Sequence, residues 1–415
     1  MGYFGQFRRR FITQQDQGLT MDTVVRVRRT RGLHLEPVDR AKIDVAAMLA
    51  GGRFLDIQHH WQGLAPETGR KVVVEAADLA TLLSIGEADW TAWSEAVALV
   101  GAPALQRLVD AGLLEVTGSS TPPDAERLRD EQQQFWHPLN RLLHAFSRWS
   151  RADPEANRRQ ARFDAVEDMV RRCGLPPPHF HRRADAVARA VLDEPERTPI
   201  DDLLERRATC RNFDLSWAVP TAQMSALLKR VFGVHGSEAW APGAVALKKN
   251  HPSGGALHPT EAYLVVQRAE GLAPGLYHYN VEAHSLDMLR ELSAGEARSQ
   301  ALTAVAGQDY FAEAPVLVVM AARFARSMWK YRNHPKIYRA ILLEMGHISQ
   351  NLYLTATEMN LGAFITAAIN EVEIEQAFGL EPMAEGPLAV CGFGARAAER
   401  VTVEFDPGHK VWRDG

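Results

Sequence analysis

Cysteine is scarce in this chain: three occur in 415 residues, Cys173, Cys210 and Cys391. Their spacing offers neither a disulfide framework nor a metal-binding pattern, which fits a reducing compartment. Long apolar runs are missing too; none approaches the ~20 residues that span a bilayer. With no secretory signal read at the start, a cytoplasmic protein without a membrane partner is expected. Nor is there an excess of one charge: 47 Lys and Arg stand against 51 Asp and Glu, a net of −4, with a pI of about 6.4. No global field therefore argues for nucleic acid. What is present is ample: 46% hydrophobic residues over this length can build two or three domains with cores of their own.

The most informative segment is HPSGGALHPTE at 251–261, which runs into AYLVV at 262–266. Gly254 and Gly255 remove side-chain bulk and open positive φ, so the backbone can press against a planar ligand. Pro252 and Ser253 fix the entry, and the apolar run after them reads as a buried strand. Taken alone, the segment is equally a tight turn before an edge strand. Three further features shift the balance. RATCRNFD at 207–214 alternates Arg207, Thr209 and Arg211, which in an extended segment point to one face. Two guanidinium forks and a hydroxyl on one face suit a phosphate; the plainer alternative is a solvated charged strand. WKY at 329–331 sets Lys330 beside Tyr331 after an apolar strand over 315–321, and LGAFIT at 361–366 closes a long apolar helix.

In that order, with GLYHY at 275–279, EMGHISQN at 344–351 and AVCG at 389–392, these motifs resemble the nitroreductase-like flavoproteins. More narrowly they resemble the SagB-type peptide dehydrogenases, or azoline oxidases. The resemblance covers about residues 195–415, and the SGGALHP block with the Lys-Tyr pair is its specific part.

The expected fold class is α+β, in three parts. Residues 1–120 read as a small winged-helix-like module: strands near Val24 and over 71–74, helices over 77–85, 90–100 and 102–111, a stop at Gly112, then a strand over 113–116. Its opening is arginine-rich (Arg8, Arg9, Arg10), and Met21 is a second candidate start. The helix over 102–111 carries only Arg107, so a leader peptide bound at a strand edge is a better expectation than DNA; a structural cap without ligand is the alternative. Residues 121–194 read as a helical connector. Its helix over 132–150 sets Phe135, Trp136, Leu139, Leu142, Leu143, Phe146 and Trp149 on one side. His179 and His181 lie in a Pro-rich loop without a completing ligand, so no metal is expected. Residues 195–415 read as the nitroreductase-like domain. Its helix over 337–359 is apolar nearly all round, and Gly346 and Ser349 admit a close neighbour.

The resemblance implies FMN as cofactor, bound at the interface of an intertwined homodimer. Arg207, Thr209 and Arg211 would hold its phosphate, with Arg396 as an extra cation. Pro252, Ser253, Gly254 and Gly255 would lie along the ring, and the backbone of Thr366 and Ala367 on its far side. Relatives often carry glycines at those last positions, where this chain has Ala367 and Ala368. Lys330 and Tyr331 match the catalytic pair. Lysine is ordinarily protonated at neutral pH, so a basic Lys330 needs burial; Trp329 and Phe324 are the expected apolar neighbours, with Arg326 and Arg332 acting in the same direction. The implied substrate is a ribosomally made precursor peptide, oxidised from azoline to azole or across a Cα–Cβ bond. The sequence does not identify the terminal acceptor, for which dioxygen suits the resembled family; a cyclodehydratase or other maturation enzyme is the implied working partner. An NAD(P)H-dependent nitro- or quinone reductase and a non-enzymatic flavin-binding scaffold are the competing readings.

Overall fold

The computed structural model describes residues 25–43, 55–117, 134–156 and 166–412. Arg8, Arg9, Arg10, Met21, Val24 and the first two residues of the helix expected over 132–150 lie outside them. The chain divides into two compact units, Met1–Arg127 and Leu128–Gly415.

The first unit runs β1 (Arg26–Arg29), β2 (His34–Ile43), β3 (Leu55–Ala65), β4 (Arg70–Val74), α1 (Ala76–Ser84), β5 (Thr91–Ala92), α2 (Trp93–Val100), α3 (Ala102–Ala111) and β6 (Leu114–Val116). β1 is the middle strand between β5 and β6, and β2, β3 and β4 pair as a second antiparallel sheet. Leu82, Leu105, Leu108, Leu113 and Leu114 fill this unit's core. Gly112 ends α3 in the left-handed conformation, its N–H returning to the Leu108 and Val109 carbonyls, as its place after an apolar stretch predicts. Arg107, the basic residue of α3, is paired with Asp78 at 2.8 Å. That helix therefore offers no uncommitted cation to a phosphate backbone.

The second unit runs α4 (Pro138–Ser147), α5 (Val166–Cys173), α6 (Pro199–Arg206), α7 (Thr221–Phe232), β7 (Val234–Ala241), β8 (Ala244–Lys249), β9 (Thr260–Val266), β10 (Gly275–Asn280), β11 (Ser285–Glu291), α8 (Ala294–Ala304), α9 (Asp309–Ala312), β12 (Val316–Arg323), α10 (Phe324–Met328), α11 (Ile337–Glu358), β13 (Gly362–Thr366), α12 (Glu371–Phe378) and β14 (Glu385–Gly394). Six strands form one antiparallel sheet in the order β11-β10-β9-β12-β14-β13. The two-residue period of β9 and β12 sorts their side chains to two covered faces. Leu264, Val318 and Met320 meet Met224, Leu227, Ile341 and Ile348 of α7 and α11. Val265, Leu317 and Val319 meet Ala301, Ala304, Phe311 and Ile374 of α8, α9 and α12. Burial on both faces is why these strands read as unbroken apolar runs rather than alternating ones.

Three local expectations change. The helix expected over 132–150 is shorter, and it buries Asn140, Arg141, His144 and Ala145 while Leu139 and Leu143 point outward. His144 fits because its ring bonds the Tyr338 hydroxyl at 3.1 Å and the Pro382 carbonyl at 2.8 Å, beside Trp136 and Phe324. α11 is not covered all round: Ile341, Met345, Ile348, Leu352 and Ala356 face the core, but Leu342 and Leu343 are exposed and Gly346 has open space around it. Residues 362–366 are a strand, not a helix end, because Asn360 turns the chain at φ 57 and β14 offers a free edge to pair with.

Candidate functional site

β8 and β9 are joined by the glycine turn. Gly254–Ala256 forms a single 3₁₀ turn in which Gly255 has φ 69 and ψ 23. A Cβ on Gly255 would lie 2.8 Å from the Tyr331 hydroxyl and 3.0 Å from Lys330 Nζ; the positive φ disfavours a side chain there, and one would displace those two groups. The structure thus brings together the two motifs that the sequence keeps far apart. Gly254 lies against Ala340 of α11, and the Pro252 carbonyl accepts from His347 Nδ1 at 3.3 Å.

Lys330 and Tyr331 follow α10, which β12 delivers from the middle of the sheet. The Lys330 side chain is exposed, and its ammonium stands 5.1 Å from the centre of the Trp240 ring and 5.6 Å from that of Tyr331. The expected surroundings differ. Phe324 is buried with Trp136, Trp329 is half exposed, Arg326 donates to the Leu257 and Val245 carbonyls, and Arg332 packs over Phe135. The aromatic neighbour is Trp240 of β7, delivered by a hairpin that its polar, exposed sequence did not single out.

Residues 207–213 run extended beside β13, where Thr209 bridges Ala363 and the Cys210 N–H donates to the Ala363 carbonyl. Arg207 and Thr209 both meet Tyr353 of α11: the guanidinium lies 5.2 Å from the ring centre and the two hydroxyls are 2.9 Å apart. Arg211 stands 5.8 Å over Tyr310 and Phe311 and donates to the Val403 carbonyl. Among the described residues neither guanidinium is paired with a carboxylate. Arg396 is: it bonds Glu404 and the Ala208 carbonyl, so its charge is already committed. Thr366 ends β13 with its hydroxyl bonded to Gln308 and to the Ala368 N–H, and Ala367 is exposed.

Beneath the glycine turn lies a buried polar cluster to which no role was assigned from sequence. His258 Nε2 donates to the Leu247 carbonyl at 3.1 Å, which leaves Nδ1 to accept from His251 Nε2 at 3.3 Å. Glu344 accepts from the Thr260 hydroxyl at 2.9 Å and lies 4.0 Å from His251. Burial pushes His251 down to about 3, His258 down to about 4 and Glu344 upward, and it lowers Lys249 as well. His251, His258 and Glu344 also lie close enough to bracket a cation. The buried stripe of α11 also holds Ile348, Ser349, Leu352 and Tyr353, but Tyr353 lies nine residues and half a turn in phase from Glu344, so no 3.6-residue period from Glu344 finds it.

These histidines make stability pH-dependent. His144 is also held down by burial, to about 4 from 6.5. A histidine whose folded pKa is depressed stabilises the fold fully above the unfolded value and loses that contribution as pH falls from 6.5 toward the folded value. For His144 the two limits differ by about 3 kcal/mol. The expected result is a melting temperature that drops steeply between pH 6.5 and 4, measured by circular dichroism, with a shallower drop in His144→Gln.

Residues 204–395 match the nitroreductase family. The trifolitoxin-processing protein TfxB of Rhizobium leguminosarum bv. trifolii is 34% identical over 144 residues, 34% of this chain and 38% of that protein. The microcin B17-processing protein McbC of Escherichia coli is 28% identical over 166 residues, 37% of this chain and 56% of that protein. The match thus spans less than two thirds of either relative. Among solved structures, a chain of the E. coli microcin synthetase McbBCD complex with truncated pro-MccB17 bound is 20% identical at a TM-score of 0.48, covering 64% of this chain and 97% of that one.

Proposed function

We propose that the protein, whose residues 204–395 match the nitroreductase family, is an FMN-dependent dehydrogenase that matures a ribosomally made peptide. The observation that carries this reading is the contact of the Gly255 turn with Lys330 and Tyr331. A bare, left-handed backbone facing a cation and a phenol is suited to a planar ring and a reacting carbon.

The residues fit the cofactor. Arg207 and Arg211, free of carboxylate partners among the described residues, suit its phosphate beside Thr209, and the glycine turn suits its ring. α11 carries Glu344 under the turn and Tyr353 under Arg207. Bound there, FMN would supply a two-electron acceptor for a hydride equivalent. The chain's own part is to orient the peptide and to take the neighbouring acidic proton, which we assign to Lys330 Nζ with the Tyr331 hydroxyl at its side. The trifolitoxin- and microcin B17-processing relatives support a precursor peptide as substrate; an azoline on that peptide and a cyclodehydratase as partner complete the proposal. The first unit is the candidate leader-peptide site. A homodimer is supported by exposed Leu342, Leu343, Val401, Val403 and Phe405, and it would supply the burial that Lys330 lacks within one chain.

The test is an absorbance spectrum of the purified protein with mass spectrometry of the released chromophore. Flavin bands and the mass of FMN are expected. A colourless protein that FMN cannot reconstitute overturns the reading, and rapid bleaching by NADPH favours a plain reductase instead.

A further inference from the structure

We propose that His258 is a positioning residue: it holds the turn over residues 252–259 in its left-handed course and so sets the distance of Gly255 from the Lys330–Tyr331 pair. The turn departs from ordinary backbone at more than its glycine, since Ala256 has φ 53 and His258 has φ 47. Side-chain-bearing residues keep such conformations only where their surroundings over-determine them.

His258 is the residue that is over-determined. Its N–H donates to Ser253 Oγ at 2.9 Å, closing the turn on itself. Its ring spans from the Leu247 carbonyl of β8 to His251, and it is 7% exposed. Glu344 braces the far end through the Thr260 hydroxyl, and Arg326 holds the Leu257 carbonyl. The anchors thus fall on Leu257, His258 and Thr260 after Gly255 and on Pro252 before it, while Gly255 itself carries none. Burial keeps both histidines neutral, so the ring-to-ring hydrogen bond persists without mutual repulsion. The same ring ties the turn to the β7–β8 hairpin, which brings Trp240 over Lys330. One imidazole thus aligns the backbone surface and the aromatic neighbour of the catalytic lysine.

The catalytic consequence rests on the function proposed above; the conformational one does not. The experiment compares the wild-type holoenzyme with His258→Ala and His258→Asn, since asparagine tolerates the left-handed region and keeps a hydrogen-bonding side chain. Hydrogen exchange followed by mass spectrometry reads residues 251–259, with β9 and β12 as internal controls. Turnover of the azoline peptide reads kcat and KM. In His258→Ala, exchange in the turn is expected to accelerate with the controls unchanged, and kcat to fall on the order of 10²-fold at nearly constant KM. His258→Asn should restore most of both. Wild-type exchange in the turn of His258→Ala overturns the conformational claim, and unchanged kcat with accelerated exchange overturns the catalytic one. If the wild-type protein turns over no peptide, the exchange arm still decides, which separates this failure from that of the proposed function. A stoichiometric metal ion in the purified protein, lost in His251→Ala, would also overturn the proposal, because coordination would then hold the ring.

Discussion

Lys330→Ala is expected to lower kcat by roughly 10²–10⁴-fold, the usual contribution of a positioned proton acceptor, while the protein keeps its yellow colour. The two readouts separate because Lys330 touches the glycine turn and Trp240 but none of the groups assigned to the phosphate. Its side chain is exposed, so its removal opens no cavity and the fold should be unaffected. Single-turnover kinetics with the peptide and the visible spectrum of the same sample decide the matter. A colourless Lys330→Ala protein would make the residue part of cofactor binding, and an active one would move proton transfer to Tyr331 or to bulk water.

Arg207→Ala combined with Arg211→Ala is expected to weaken FMN binding by about 10²–10⁴-fold, since two charge-assisted contacts of roughly 1.5–3 kcal/mol each are lost. Equilibrium dialysis or flavin fluorescence quenching measures the change. Full flavin occupancy in the double variant would show that the phosphate lies elsewhere. Arg396 is no substitute in this experiment: removing it leaves the buried Glu404 carboxylate without its cation, which costs stability whatever it does to flavin.

Much of the site was legible because its parts are local. Gly254 and Gly255 announce a turn that needs bare backbone, and Gly255 does take a positive φ. The apolar runs at 262–266 and 315–321 announce strands, and in the fold α8, α9 and α12 cover one face of them while α7 and α11 cover the other. Arg207 and Thr209 do share a surface, with Tyr353 between them. The misreadings share a cause. Leu139, Leu143, Leu342 and Leu343 are apolar, yet they face outward, because hydrophobicity alone does not say which stripe of a helix meets the core. His144 and Glu344 are polar, yet buried, because their partners (the Pro382 carbonyl, the Tyr338 and Thr260 hydroxyls) lie far away in sequence and cannot be counted from a local window.

The sequence by itself determined the motifs of the second unit, the apolar strands at 262–266 and 315–321, the glycine at the turn and residue types suited to a phosphate site and a proton acceptor. These follow from conformational preference and side-chain type, which are properties of a few neighbouring residues. Only the tertiary structure decided that Gly255 faces Lys330 and Tyr331, that Trp240 is the aromatic neighbour, that Arg396 belongs to Glu404, and that His251, His258 and Glu344 meet under the turn. Each of these is a long-range contact. The sheet sets it by pairing β9 with β12, and α11 by packing across both; neither the register nor the rotation of that helix is written in any one segment.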